Sequence, residues 1–425
     1  FCFLNMGEII EMNSLALFGG NPIRTEPFSS WPRPTTKMES HLMSTLNNDG
    51  WGVGSQVNRE FCSAFSDFQE AKHCITANSG TAGLWVALKA AGVKAGDEVI
   101  VPAYTFIATA SAVLMANGVP VFVDIDIETA NMDANLIEDA ITEKTKVIMP
   151  VHIGGNPADL DAILAIGKKH GIAVIEDAAQ AHGAEWDGKK VGALGLGGMF
   201  SFQTSKNMSA GEGGAIITND EAFADACFSY HNCGRVKGGK WYEHSFLGGN
   251  FRLSSFQASM LLSQLETLPS EIETRNQNRA ILDKALNEIP GITPQKILAK
   301  VTQSANHIII NRYDKSEFHG ITRETFFAAM QAEGIFTYQG YTPLYREQLF
   351  ITNTDEYPWL KGYDYGNLNF PNTEKFANEE SIWLRQNHLL GTKDDIQDVI
   401  NAFEKVTQAM NENPELFQQY EKDKK

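Results

Sequence analysis

Between about Lys72 and Thr218, short Val/Ile-rich runs alternate with helical ones, and this alternation restricts the fold more than any other feature of the 425-residue chain. HCITA (73–77), EVIVP (98–102), VPVFVDI (119–125), TKVIMPV (145–151) and IAVIED (172–177) read as buried strands. LWVALKAAG, ANLIEDAI and ADLDAILAIGKKHG read as the helices between them. Such alternation predicts an α/β fold with a mostly parallel sheet covered on both faces. MFSF (199–202) and GGAIIT (213–218) add two shorter strands, expected as a hairpin-like excursion. Past Asn250, FRLSSFQASMLLSQLETL carries apolar residues at three- and four-residue steps, which predicts one long amphipathic helix bridging two domains. Beyond it, HIIINRYD (307–314) and GIFTY (334–338) are expected as strands flanking the helix TRETFFAAMQAEG, a smaller α+β unit.

The resulting division is an N-terminal arm (1–40), a large domain (41–265), a small domain (266–412) and a polar tail (413–425) expected to fray. Within the arm, FGGNPIRTEPFSSWPRP (18–34) breaks both regular periods, yet Phe28 and Trp31 imply that it docks. The 35 Lys+Arg against 52 Asp+Glu give a net charge of −17, which disfavours nucleic-acid and anionic-membrane partners but permits a small anionic substrate. Five cysteines without a C-x-x-C pair argue against a disulfide framework or zinc site, and each is expected as a small core residue. The opening FCFLNMGEIIEMN lacks a basic n-region, and the apolar region 105–125 is broken by Asn117, Gly118 and Pro120. The expectation is a cytoplasmic protein.

Ligands in open α/β sheets gather at the carboxyl ends of the strands. Asn78-Ser79-Gly80-Thr81 follows the first strand and opens a helix, so it is either a capping turn or a phosphate cradle. Tyr104 and Phe106 follow the second; either could lie flat on a planar ring, with simple core packing the preferred alternative on these residues alone. IAVIED ends in Glu176-Asp177, where a carboxylate is costly unless paired, by a salt bridge or by a protonated heterocyclic nitrogen. Lys206, in FSFQTSK, stands on a turn between short apolar strands, where desolvation lowers an amine's pKa and makes it a nucleophile. No H-x-x-x-H spacing, Walker sequence or dinucleotide fingerprint is present. His152 is the one histidine expected near the crevice, and His170 is expected as a dipole partner at a helix end.

A phosphate cradle, an aromatic, a carboxylate and a lysine, in that chain order, resemble the DegT/DnrJ/EryC1/StrS family of sugar aminotransferases, pyridoxal-phosphate (PLP) enzymes of fold type I. The resemblance runs from about Leu15 to Met410 and rests on SGTAGL (79–84), VIVPAYTFIAT (99–109), VPVFVDID (119–126), PVHIGG (150–155), EDAAQAHGA (176–184), FSFQTSK…GEGGAIIT (200–218) and GNFRLSSFQASML (249–261). It implies a mostly parallel seven-stranded sheet and a set of roles. Lys206 would carry the cofactor covalently and shuttle the reacting proton, and Asp177 would keep the pyridine nitrogen protonated. Gln180 would bind the ring's 3-oxygen, and Phe106 would stack on the ring. Gly80, Thr81 and Ser201 would hold the phosphate, with Asn250 reaching in from the other subunit of a homodimer. Gly83 replaces an expected Ala, which would loosen the cradle helix. The presence of Lys206, where sugar dehydratases of the family carry histidine, disfavours that branch.

The implied activity is ping-pong transfer of an amino group from glutamate or glutamine to a keto-sugar or keto-cyclitol. The SWP arm and the FSFQTSKNMSAGEGG segment resemble most the cyclitol aminotransferase and aminohydroxybenzoate synthase branch. The competing expectations are a PLP-dependent dehydratase or aromatising enzyme and a non-catalytic regulatory protein on the same fold. Tyr104, His307 and Tyr341 are guessed as acceptor contacts. Arg235, Lys237 and Lys240 are expected as a solvated loop, with recognition of an acidic substrate as the sharper alternative.

Overall fold

The computed structural model describes residues 15–48, 50–351 and 356–424. Seven strands form the main sheet: β1 (His73–Ala77), β2 (Glu98–Pro102), β3 (Val119–Val123), β4 (Thr145–Ile148), β5 (Ala173–Asp177), β6 (Gly197–Ser201) and β7 (Gly214–Thr218). Their order is β1-β7-β6-β5-β4-β2-β3. Neighbours from β3 to β6 pair in parallel, whereas β7 runs antiparallel to both β1 and β6. The two short strands expected as an excursion are therefore full members of the sheet. β7 is buried at every position, GAIIT, because helices cover both of its faces.

Helices α1 (Thr36–Asn48), α2 (Gln56–Phe68), α3 (Gly80–Ala90), α4 (Ala108–Met115), α5 (Leu160–His170) and α6 (Glu221–His231) accompany this sheet. Their ends follow local chemistry. Asp159 caps α5 by accepting from Ala162 N, and Gly171 closes it at φ +67°. His170 sits in its last turn, as expected, and its Nε2 also meets Glu138. The segment ANLIEDAI forms two short 3₁₀ turns, Ala134–Leu136 and Glu138–Ala140, in place of a helix.

The expected bridging helix is two helices, α7 (Ser255–Leu265) and α8 (Leu268–Leu286). Ser254 and Gln257 form a capping box at the start of α7. Pro269 lacks an N–H and its ring collides with the carbonyl one turn earlier, so the first helix ends and a new one starts. The small domain holds a three-stranded antiparallel sheet, β8 (Ile292–Pro294), β9 (Ile308–Tyr313) and β10 (Ser381–Arg385), in that order. Helices α8, α9 (Arg323–Ala332) and α10 (Lys393–Glu412) close over it around Phe318, Phe326, Phe403 and Val406. GIFTY forms no strand. It touches β10 through a single bridge, Tyr338 to Trp383, and then turns to line a cavity.

Two further expectations change. The tail is helical, α11 (Pro414–Lys424), and seats Phe417, fully buried, in the small domain's core. Leu344, Tyr345, Phe350, Leu360 and Tyr365, inside the range expected for the small domain, pack instead with the core of the main sheet.

The arm does dock. Leu15 is buried among small-domain residues, and Arg24 pairs with Asp395 at 2.7 Å and Asp398 at 2.8 Å. The buried Glu333 carboxylate accepts from Ala16 N and Ile23 N and pairs with Lys405 at 2.8 Å. Cys227 is a core residue, Cys62, Cys74 and Cys233 are half-buried, and Cys2 lies outside the described residues. Among the described residues no helix is long and apolar enough to cross a membrane.

Candidate active site

The carboxyl ends of β1, β2, β5 and β6 open into one cavity of about 1100 Å³, closed on the other side by β10 and the arm. Gly80, Thr81, Phe106, Asp177, Gln180, Ser201 and Lys206 all line it. Asn250 does not: it is exposed and bridges to Asn232 outside this cavity.

At the end of β1, both readings of the turn hold. Ser79 caps α3 by accepting from Ala82 N at 3.1 Å, while the first-turn N–H groups of Gly80 and Thr81 have no partner within the helix. The turn lies directly against β6. A Cβ on Gly80 would stand 2.9 Å from Ser201 Cβ and 3.1 Å from its Oγ. Backbone donors, a hydroxyl and the positive helix end thus converge on one point. Gly83 does not loosen this helix, since a Cβ there would meet Met199 Cγ at 2.8 Å. The glycine lets α3 sit close on the sheet.

β5 ends in two carboxylates with opposite fates, because successive strand side chains face opposite sides. Glu176 is fully buried and accepts from the backbone N–H groups of Gly192 (2.6 Å), Leu194 (2.8 Å) and Gly195 (2.9 Å). His152 completes its shell. Ala158 N donates to His152 Nδ1, so Nε2 carries the proton and donates to Glu176 at 3.1 Å. His152 is therefore part of the framework and does not line the cavity.

Asp177 points into the cavity with fewer partners, Thr109 Oγ1 at 2.8 Å and Ala179 N at 3.2 Å. Burial raises its pKa, while those two hydrogen bonds and the charge of Lys206 oppose the rise. Lys206, half-buried, has no hydrogen bond or ion pair from Nζ among the described residues. Desolvation lowers its pKa to about 8 against the pull of Asp177. Its backbone carbonyl accepts from Trp31 Nε1 at 2.9 Å, so the arm is tied to the lysine turn.

Gln180 is oriented unambiguously. Its Oε1 accepts from Gly154 N at 2.7 Å, which turns Nε2 outward to Tyr341 Oη at 3.3 Å. Gly154 holds φ +69°, and a Cβ there would press within 3.0 Å of Ile308 O, so glycine is required. Phe106 exposes about half of its surface as a flat face, with Tyr341 6.0 Å away.

Of the guessed acceptor contacts, Tyr341 and His307 line the cavity. His307 Nδ1 faces Asn207 Oδ1 at 3.2 Å, an acceptor because Asn207 Nδ2 donates to Ala305 O. That leaves Nε2 as an acceptor on a ring kept neutral by burial. Tyr104 does not line the cavity. It is fully buried and joins the two domains, with Ser381 Oγ at 3.2 Å and a bond from Tyr341 N. Arg235, Lys237 and Lys240 lie outside this cavity, and Lys237 pairs with Asp225 at 2.6 Å.

Sequence reasoning missed Thr109, Trp31 as a wall of the site, and the run Arg385-Gln386-Asn387 at the end of β10. Thr109 sits inside VIVPAYTFIAT, one helical turn past Thr105, and could have been found there.

Similar proteins carry the same frame. L-glutamine:2-deoxy-scyllo-inosose aminotransferase of Micromonospora echinospora is 38% identical over 413 residues, spanning 93% of this chain and 98% of that protein. The enzyme of the same name from Streptomyces lividus is 37% identical over 92% of this chain and 97% of its own. Among solved structures, 3-amino-5-hydroxybenzoic acid synthase matches with a TM-score of 0.81 and 31% identity, over 92% of this chain and 100% of that one. DesI with its TDP-sugar product matches at 0.82 and 27%, over 96% and 100%. The family model for DegT/DnrJ/EryC1/StrS aminotransferases matches residues 35–404, and with the fold of these relatives around a lysine, a carboxylate and a helix-end cradle, the chain belongs to that family.

Proposed function

We propose that this PLP-dependent aminotransferase moves the amino group of L-glutamine to the ketone of a cyclitol, alternating between donor and acceptor by a ping-pong mechanism. The observation that carries the chemistry is the amine of Lys206, without a partner among the described residues and shifted to about 8, in the same cavity as the buried Asp177. The names of the relatives support the substrate pair, since proteins 37–38% identical over more than nine-tenths of the chain are glutamine:deoxyinosose aminotransferases. The aminohydroxybenzoate reading is less favoured, at 31% identity.

The residues fit the cofactor. The tight Gly80–Ser201 contact forms a cradle of donors for a phosphate, and the raised pKa of Asp177 marks a carboxylate awaiting a cationic partner. Gln180 offers an N–H, its oxygen being committed, and Phe106 offers a ring face. Bound pyridoxal phosphate supplies an aldehyde for the amino group and a ring that withdraws electrons from the carbon being deprotonated. Lys206 would be the residue that holds that aldehyde. When free, its neutral amine would be the group to take up a proton from the substrate and give it back, a role suited to a pKa near 8. Asp177, steadied by Thr109, would keep the ring nitrogen protonated. Asn250, exposed and outside its own cavity, would be free to reach the phosphate of a second subunit, as a homodimeric working unit requires.

The test is spectroscopic. The purified protein shows a visible band that bleaches on adding glutamine and returns on adding 2-deoxy-scyllo-inosose, and Lys206→Ala lacks it. A wild-type protein that stays colourless with pyridoxal phosphate refutes the assignment, and a band restored only by nucleotide-linked keto-sugars refutes the cyclitol.

A further inference from the structure

We propose that Gln386, clamped by the buried Arg275, binds the carboxylate of the amino-acid donor. The proposal rests on the aminotransferase reading above and names a subsite within it. Arg275 lies on α8 with its side chain wholly buried, and its Nε and Nη2 both donate to Gln386 Oε1, at 3.0 and 2.8 Å. A guanidinium has only donors, so the amide oxygen must face it and the amide nitrogen becomes the free end. Gln386 lines the cavity beside Lys206, Trp31 and His307, and its Nε2 has no partner among the described residues.

The charge behind that amide is incompletely balanced. Among the described residues Arg275 reaches one carboxylate, Glu271, at 3.3 Å, and its Nη1 is buried without a partner. Its Cζ lies 5.6 Å from the ring centre of Trp31, the residue that holds the Lys206 carbonyl. A cation against the oxygen of an amide polarises the N–H groups on its other end, so this wall offers the cavity strengthened donors. The carboxylates of the cavity, Asp177 and Glu212, come from the main-sheet side. The ligand group that matches is anionic and accepts only. The cyclitol brings hydroxyls and a ketone, whereas the amino acid brings a carboxylate. Arg275 is thus a positioning residue, and Gln386 makes the contact.

Two variants separate the possibilities. Gln386→Glu keeps an oxygen for Arg275, and so keeps the fold, but turns a donor toward the ligand into an acceptor. Gln386→Leu removes the group. The two half-reactions are followed separately in each variant, and binding of glutaramate, the glutamine skeleton without its α-amino group, is measured by calorimetry. Both variants weaken glutamine and glutaramate binding by about tenfold or more, as expected for a lost charge-assisted bond, with reaction of the aminated enzyme with 2-deoxy-scyllo-inosose within twofold of wild type. Arg275→Lys, which keeps the charge without the fork, raises the glutamine KM and leaves the cyclitol step alone. Unchanged glutamine and glutaramate affinities, or a loss falling on the cyclitol step, overturn the proposal. A wild-type protein whose spectrum ignores glutamine defeats the parent reading, a result distinct from variants that match a responsive wild type.

Discussion

Gly80→Ala isolates the phosphate cradle from everything else in the site. Gly80 has an ordinary backbone conformation, so adding a methyl group introduces no strain at φ. The cost is spatial: the new Cβ would stand 2.9 Å from Ser201 Cβ and 3.3 Å from Met199 Sδ. Carbon atoms pack comfortably at about 3.5–4.0 Å, so α3 and β6 must part by about half an ångström or more. A β-carbon cannot rotate away, since the backbone of β6 fixes it. Overpacking of this kind costs about 1–3 kcal/mol. If the displacement falls on the phosphate donors, cofactor affinity drops by about 5- to 150-fold, at about 1.4 kcal/mol per tenfold. The matched control is Gly83→Ala on the same helix. There the obstacle is Met199 Cγ at 2.8 Å, on the buried side away from Ser201, so the clash costs stability, offset in part by about 1 kcal/mol of helix propensity, without touching the cradle's hydroxyl. The assay is titration of apoprotein with pyridoxal phosphate, read by absorbance, beside thermal melts of both variants. Gly80→Ala binds the cofactor much more weakly, and Gly83→Ala stays within about threefold. Equal affinities for wild type and Gly80→Ala refute the cradle.

The rate at which apoprotein takes up pyridoxal phosphate covalently rises with pH to a plateau with a midpoint near 8, not near the 10.5 of a free lysine, and stopped-flow absorbance reads it. His388, packed 4.4 Å from the Phe28 ring, is held by burial at about 4 instead of 6.5. Its folded pKa is the lower one, so its contribution is fully present above pH 6.5 and is lost as pH falls toward 4; at about 1.4 kcal/mol per pH unit the total is about 3 kcal/mol. Urea unfolding at pH 7 and pH 4.5 shows that loss in wild type and a smaller one in His388→Gln. Phe417→Ala destabilises the small domain by about 3–5 kcal/mol, measured by chemical denaturation, whereas a frayed tail would register no change.

The elements that carry chemistry were legible because each is local. A turn opening a helix, an aromatic after a strand, a carboxylate at a strand end and a lysine between short strands need only a few residues to be seen. What stayed hidden depends on sheet order. GGAIIT is a buried strand by composition, but only the assembled sheet reveals that β7 slips between β1 and β6. Glu176 and Asp177 are equivalent as letters, and the loop bearing Gly192, Leu194 and Gly195 decides which one is satisfied. His152 was misplaced for the same reason, because that buried carboxylate claims it. Tyr104 looked like a ligand contact until Ser381, far along the chain, supplied its partner. Gln386 and Arg275 carry no local signature, since their meaning lies in a contact between a helix and a strand end.

The antiparallel insertion of β7 also sets an order of events along the growing chain. β1 lies at the edge of the sheet and pairs with β7 alone, His73 opposite Thr218 and Ala77 opposite Gly214. A Cβ on Gly214 would stand 2.7 Å from Ser79 O, so the returning strand presses on the turn that opens α3. The loop between the two strands must close before β1 has a partner, an entropic cost met late. During synthesis, β2 to β5 can pair as they emerge, while the first strand waits for the last. The phosphate cradle directly follows that first strand, so of the site's parts on the main sheet the earliest in the chain waits for β7 before it is set in place.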